Sequence, residues 1–440
     1  MAKITFLGAG SAVFVRNVIG DCFCSEVLRD CEIALYDIDA GLLNQSMEII
    51  SAMQKNAGAH ARLTAYLGPQ QRRDALRCAD FVINAVQIGG YDPCTITDFE
   101  VPKRFGLRQT IGDTAGIGGI MRALRTIPVV ESFARDMEEV CPGALFLNYV
   151  NPMAMVTGYL QRYTGVNTVG LCHSVQVCSE RLLKKLGMED ALIGRKERIA
   201  GINHMAWLLE LKDRDGNDLY PEIRRRAHEK NASQKHEDMV RFDYIDRLGY
   251  YCTESSEHNA EYSAFYIKSN YPELIERYQI PLDEYPRRCL RHIQDWAEER
   301  KALQASAQAP HTRSHEYASY IMEAVLTNRP IQIGGNVLNA GHLITNFPEE
   351  ACVEVPCMVN NTGVHPCRVG SLPLQCAAMN LMQINVHLLT IEAAHTRRRD
   401  CIYQAAMMDP HTSGELDIDT IVKLVDALIE AHGTWLPAFH

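Results

Sequence analysis

The 440-residue chain has no apolar run approaching the roughly 18 residues that a helical membrane span needs. Its Lys and Arg residues are scattered and outnumbered, for a formal net charge of −10. The first absence excludes a helical membrane protein, and the second removes the positive footprint that holds phosphate backbones or anionic lipid. No CxxC pair and no HExxH helix occurs, so the usual spacings of a structural zinc site or a metalloprotease are missing. The fifteen cysteines are odd in number and lack framework spacing, which fits reduced thiols in a core better than a disulfide scaffold. Low-complexity tracts and internal repeats are also missing. The chain begins on a strand-like "KITFLGAG" where a signal peptide would otherwise stand. From these absences the expectation is a folded, cytoplasmic protein with neither nucleic acid nor membrane as partner.

What is present reads as α/β. "ITFLG", "CEIALYDID", "RLTAYL", "FVINAV", "ALFLNYV" and "TVGLC" are apolar strand candidates separated by helical patterns, among them "GGIMRALRTIPVVESFARDMEEV". Buried strands alternating with helices imply a Rossmann-like, doubly wound parallel sheet over residues 1–190, with ligands at the carboxyl ends of its strands. Beyond it the pattern changes. "IAGINHMAWLLELKDRDGNDLY" reads as a hairpin turning at Asp215-Gly216-Asn217, followed by polar helices and a mixed segment near 330–370. The expectation is a second, α+β domain over residues 191–440 for substrate and oligomer contacts.

"LGAGSAVF" follows the first strand. Gly8 and Gly10 allow a tight turn and close approach to a pyrophosphate at the helix N-terminus that Ser11 opens. Val13 fills the third glycine position, so the fingerprint is incomplete, and a glycine pair also suits a plain βα turn. Asp37, ending the second strand, suits both ribose hydroxyls and would repel a 2′-phosphate, favouring NAD over NADP; the alternative is a helix cap, a role Asp39 could fill. Asn148 and Asn151 in "LNYVNP" sit at another strand end, where asparagine either caps a turn or faces the cofactor crevice. Cys172 and His173 in "GLCHSV" end a further strand, and His204 follows in "GINHMAW". Each alone is most often packing. Together Cys172 and His204 could give one sulfur and one nitrogen to a divalent ion, leaving open positions as a catalytic site requires.

The ordered series "GAGS", "QIGGYDPCTITDFEVPKRFGLRQTIGDTAGIGGIMRALRTIP", "NYVNPMAM", "GLCHSVQ", "AGINHMAW", "TESSEHNAEY", "IPLDEYPRR", "ACVEVPC" and "AAMMDPHTS" resembles the NAD- and manganese-dependent glycosidases of glycoside hydrolase family four, from the first strand to the C-terminus. This family stands outside two-carboxylate glycoside hydrolysis. The resemblance is greatest to its α-galactosidases. It implies hydrolysis of terminal α-D-galactosides by a redox route, with α-glucosidase or α-galacturonidase as alternatives; a dehydrogenase of malate or lactate type is the rival class. By that route NAD⁺ takes a hydride from C3, the C2 proton is removed, the C1 oxygen leaves, water adds and the hydride returns. The resemblance places a divalent ion, Mn²⁺ or another transition metal, on Cys172 and His204. It makes His173 the acid for the leaving oxygen, sets Asn151 and Asp113 at the substrate, and puts Asn84 and Asn148 in the cofactor set. The C2 base does not carry over cleanly; Tyr262 and His258 are candidates, with Asp243 behind them. Arg287 or Arg288 would hold the far hydroxyls, and a homodimer or homotetramer is expected.

Overall fold

The structure, a computed structural model, describes residues 1–306 and 311–440. Six strands form first: β1 (Lys3–Leu7), β2 (Glu32–Asp37), β3 (Arg62–Leu67), β4 (Phe81–Asn84), β5 (Leu145–Asn148) and β6 (Asn167–Gly170). They are parallel and lie side by side in the order 3-2-1-4-5-6, the doubly wound order that opens a ligand crevice where the winding reverses. β1, β4 and β5 are buried at every residue, which explains their uninterrupted apolar sequences. The helix Gly116–Val140 contains the predicted helical run and is buried from Gly116 through Ile127.

The second half extends this sheet. β7 (Lys196–Ile202), β8 (Met205–Lys212), β9 (Tyr251–Cys252), β10 (Ile331–Leu338), β11 (Cys352–Asn360) and β12 (Gly363–Pro366) continue it beyond β6 in the order β10-β11-β7-β8-β9, with β12 on β11. The seam is antiparallel: Asn336 of β10 pairs with Gly170 of β6, and Glu354 of β11 with Gly201 of β7. Both apolar clusters draw on both halves, one joining Ile4 and Phe6 to Val353 and Ile384, the other joining Leu7 and Phe146 to Ile402 and Leu424.

The hairpin differs from the sequence expectation. β7 and β8 pair up to Ile202–Met205, so the turn is Asn203-His204. The Asp213–Asn217 turn is also formed, with Asp213 accepting from the Asp215 and Asn217 amides at 2.9 Å, but it leads from β8 toward the helix Tyr220–Ser233. The stronger local turn signal was therefore real and misplaced by one element. His204 takes the left-handed conformation, φ +64°, usual for glycine and accessible at a cost to histidine. The fifteen cysteines are all free, and most are buried, as expected. Among the described residues no helix is long and apolar enough to cross a membrane.

Candidate active site

A cavity of about 470 Å³ opens at the carboxyl ends of β1, β4, β5 and β6, the size of a small-molecule site. One wall is formed by Ser11 and Phe14, just past the glycine turn after β1, whereas Gly8, Gly10 and Asp37 do not themselves line the cavity. Gly8 has φ +86°, and a Cβ there would lie 2.8 Å from the backbone of Ala85 and Val86; only glycine lets the loop cross β4 so closely. The Gly10 amide donates to Asp37 Oδ2 at 2.6 Å, while Asp37 Oδ1 accepts from Ile38 and Asp39. Asp37 is thus fixed beside the glycine loop, and Asp39 takes the capping role, accepting from the Leu42 amide at 2.9 Å. Ser11 precedes the helix Ala12–Phe23 and lines the cavity.

The opposite wall is polar. Cys172 lies two residues past the end of β6 and immediately precedes the helix His173–Lys185; His204 projects from the hairpin turn and is 4% exposed; Glu254, itself at φ +67°, follows β9. One donor atom from each of these three lies within 4.8 Å of the others. Burial disfavours a charged His204, but neighbouring Cys172 and Glu254 outweigh it and push the imidazole up to about 10. The same crowding holds Glu254 below the usual carboxylate range, because His204 and His258 outweigh its burial. Thiolate, imidazole and carboxylate together suit a divalent transition metal, with room for water or substrate oxygens.

His258, 3% exposed, packs edge-on against His204 at 4.8 Å, and its Nε2 lies 3.6 Å from Asp113 Oδ1. Asn151 Nδ2 donates to Asp113 Oδ2 at 3.4 Å. Asp113 stays below its ordinary range because Arg122 and His258 outweigh its burial. His173 also lines the cavity, with Nε2 at 2.5 Å from Glu316 Oε2. Of the arginine pair, Arg288 reaches the cavity while Glu257 and Glu284 hold it; Arg287 instead binds Glu284 and the Leu282 carbonyl.

Several expected residues stand back from the cavity. Asn84 and Asn148 are fully buried and bonded to each other, Asn84 Nδ2 donating to Asn148 Oδ1 at 2.9 Å. Their strand register sets them opposite one another beneath the floor, and the adjoining Ala85 and Tyr149 form the wall. Tyr262 is fully buried, packed 5.4 Å from His258, with a hydroxyl that has no partner; burial, then Asp113 and Glu254, raise its pKa well above the phenolic range. Asp243 is occupied by Arg247 and Tyr266, at 2.7 and 3.0 Å. Glu254, Arg122, Tyr285 and Glu316 were not singled out from the sequence. Glu254, Arg122 and Tyr285 lay inside quoted motifs, but nothing in their spacing marked them.

Fold and cavity define a Rossmann-like α/β protein whose parallel sheet is continued by antiparallel strands. Residues 3–188 match the Family 4 glycosyl hydrolase family and residues 199–412 its C-terminal domain. The chain is 56% identical to "Alpha-galactosidase" of Bacillus subtilis (strain 168) over 439 residues, covering 100% of both chains. It is 33% identical to "Alpha-galactosidase" of Rhizobium meliloti (strain 1021), covering 99% of this chain and 89% of that one. A solved structure of a 6-phospho-alpha-glucosidase from gut microorganisms, in complex with NAD and Mn²⁺, superposes with TM-score 0.82 at 19% identity, covering 100% of both chains. The protein belongs to glycosyl hydrolase family 4. The rival dehydrogenase class has only a distant likeness in fold: a malate dehydrogenase from Plasmodium falciparum superposes with TM-score 0.51 at 14% identity, covering 91% of this chain and 100% of that one.

Proposed function

We propose that this glycosidase is an exo-acting α-galactosidase that requires NAD⁺ and a divalent ion such as Mn²⁺. The observation that carries the reading is one shared cavity, lined by Ser11 and Phe14 just past the glycine turn and by Cys172, His204 and Glu254. The choice of galactosides is supported by the two relatives of that name. The choice of cofactors is supported by the solved complex with NAD and Mn²⁺ and by the fit of the residues. Gly8 lets the loop turn tightly over the backbone of Ala85 and Val86, as a nucleotide-binding βα turn needs, and the sulfur, nitrogen and oxygen donors converge as a metal site requires.

When bound, NAD⁺ would accept and return the C3 hydride while the ion would draw charge from O2 and O3. The chain's own groups do the rest. The Gly8–Ser11 loop and Asp37 would hold the nucleotide, with Asn84 and Asn148 bracing the strand ends under it. Cys172, His204 and Glu254 would hold the metal. His258 would take the C2 proton: the C2–H electron pair would form the C1–C2 double bond, and the glycosidic oxygen would leave with the C1–O pair and a proton from His173. Asp113, 3.6 Å from His258, would stabilise the imidazolium so formed. Asn151 and Asp113 would also meet substrate hydroxyls, and Tyr262 would back the His258 ring from the core. A functional division near residue 190, a homo-oligomer and a cytoplasmic location, suited to its free thiols, complete the reading. Turnover in D₂O followed by NMR of the released sugar tests it: deuterium at C2 is expected, and galactose fully protonated at C2 would refute the elimination.

A further inference from the structure

We propose that Glu316 is a positioning residue for His173, gripping the imidazole by Nε2 so that Nδ1 is the nitrogen left to meet the leaving oxygen. The inference rests on the reading of His173 as proton donor and adds the group that aims it. His173 sits on the first turn of its helix with a side chain 51% exposed, so its own backbone leaves the ring free to rotate. Three contacts fix it: Phe14 edge-on at 6.3 Å, Tyr149 tilted at 5.9 Å, and the Glu316 carboxylate on Nε2 at 2.5 Å. A carboxylate on one ring nitrogen selects the tautomer and the orientation of the other.

Glu316 is itself held from below. Its amide donates to Ser314 Oγ at 3.1 Å, and Ser314 donates its hydroxyl to Asp21 Oδ2 at 2.5 Å and its amide to Asp21 Oδ1 at 2.8 Å. His311 Nε2 meets the same Oδ1 at 2.8 Å. Asp21 is fully buried on the helix that follows the glycine loop. The line Asp21, Ser314, Glu316, His173 therefore ties the ring to the helix that follows the glycine loop. Glu316 is only 10% exposed on its side chain, so a solvated surface pair, worth little, is not its description.

The test compares two substrates. A galactosyl disaccharide has a poor leaving group that needs a proton, whereas 4-nitrophenyl α-galactoside does not. In the holoenzyme, Glu316→Gln and Glu316→Ala should lower kcat on the disaccharide about a hundredfold and on the nitrophenyl substrate less than about threefold. KM for both substrates and Mn²⁺ affinity should be unchanged, and Glu316→Asp should recover part of the loss. Equal losses on both substrates, or none, in the isosteric Glu316→Gln variant would overturn the proposal. His173→Ala separates the two readings: if it shows the leaving-group split and the Glu316 variants do not, positioning is wrong and the acid stands. If His173→Ala shows no split, the acid assignment falls and takes the positioning role with it.

Discussion

Gly8→Ala puts the nucleotide loop under direct strain. At φ +86° an L-residue costs about 1–2 kcal/mol. Its Cβ would lie 2.8 Å from Ala85 C and O and from Val86 N, all backbone atoms that no rotamer change can move. β1 and β4 would part where the Ala85 amide donates to the Leu7 carbonyl at 2.9 Å, at a further cost of about 1 kcal/mol. The sum is about 2–3 kcal/mol. For 440 residues unfolding together, the entropy of unfolding is about 0.9 kcal/mol/K, so Tm should fall about 2–3 °C. NAD⁺ at a hundred times its Kd adds about 2.7 kcal/mol to a binding-competent enzyme, a rise of about 3 °C by the same entropy, which the variant should lack. Differential scanning calorimetry with and without NAD⁺ reads both. Gly10→Ala is the control: its φ is not positive and its Cβ would meet side-chain atoms, Asp37 Oδ2 at 2.9 Å and Leu42 Cβ and Cδ1 at 3.1 and 3.2 Å, not backbone, so its Tm should fall less. A Gly8→Ala enzyme with wild-type Tm and the full NAD⁺ shift would refute the reasoning.

Asp98 accepts from Arg125 at 3.1 and 2.6 Å and meets His432 Nε2 at 2.9 Å, all buried; Asp98→Asn strands the guanidinium and should cost about 3–5 kcal/mol in urea unfolding. Burial lowers the His387 pKa from 6.5 to about 4. A depressed histidine favours the fold when neutral, so its contribution of about 3 kcal/mol is full above pH 6.5 and lost as pH falls to 4; urea titrations across that range should show His387→Gln without this part of the acid sensitivity. Glu254→Gln should weaken Mn²⁺ binding at least tenfold by calorimetry, a loss typical even of an outer-shell partner, while the NAD⁺-induced rise in Tm persists.

Of the six parallel strands, β1, β4 and β5 were legible because strands covered on both faces are apolar throughout. β3 at the sheet edge has no buried residue and was legible only by its place in the alternation of strands and helices. The glycine loop was legible because its residues are consecutive. The hairpin turn was misread because Asp215-Gly216-Asn217 carries stronger turn chemistry than Asn203-His204, where tertiary packing holds histidine left-handed. Continuity of the sheet rests on Asn336 pairing with Gly170, a contact that no local pattern encodes. The same limit hid Glu254 and Glu316: each is an ordinary acidic residue in a polar stretch until the fold brings it to His204 or His173. Asn84 and Asn148 were placed at the correct strand ends, but pleat and register turn their side chains toward each other.

The most direct test of the redox route is α-galactoside hydrolysis by enzyme stripped of nucleotide and kept with Mn²⁺ and reductant. The account predicts no turnover until NAD⁺ is returned, then steady hydrolysis without net NADH; cleavage at full rate by the stripped enzyme would contradict it.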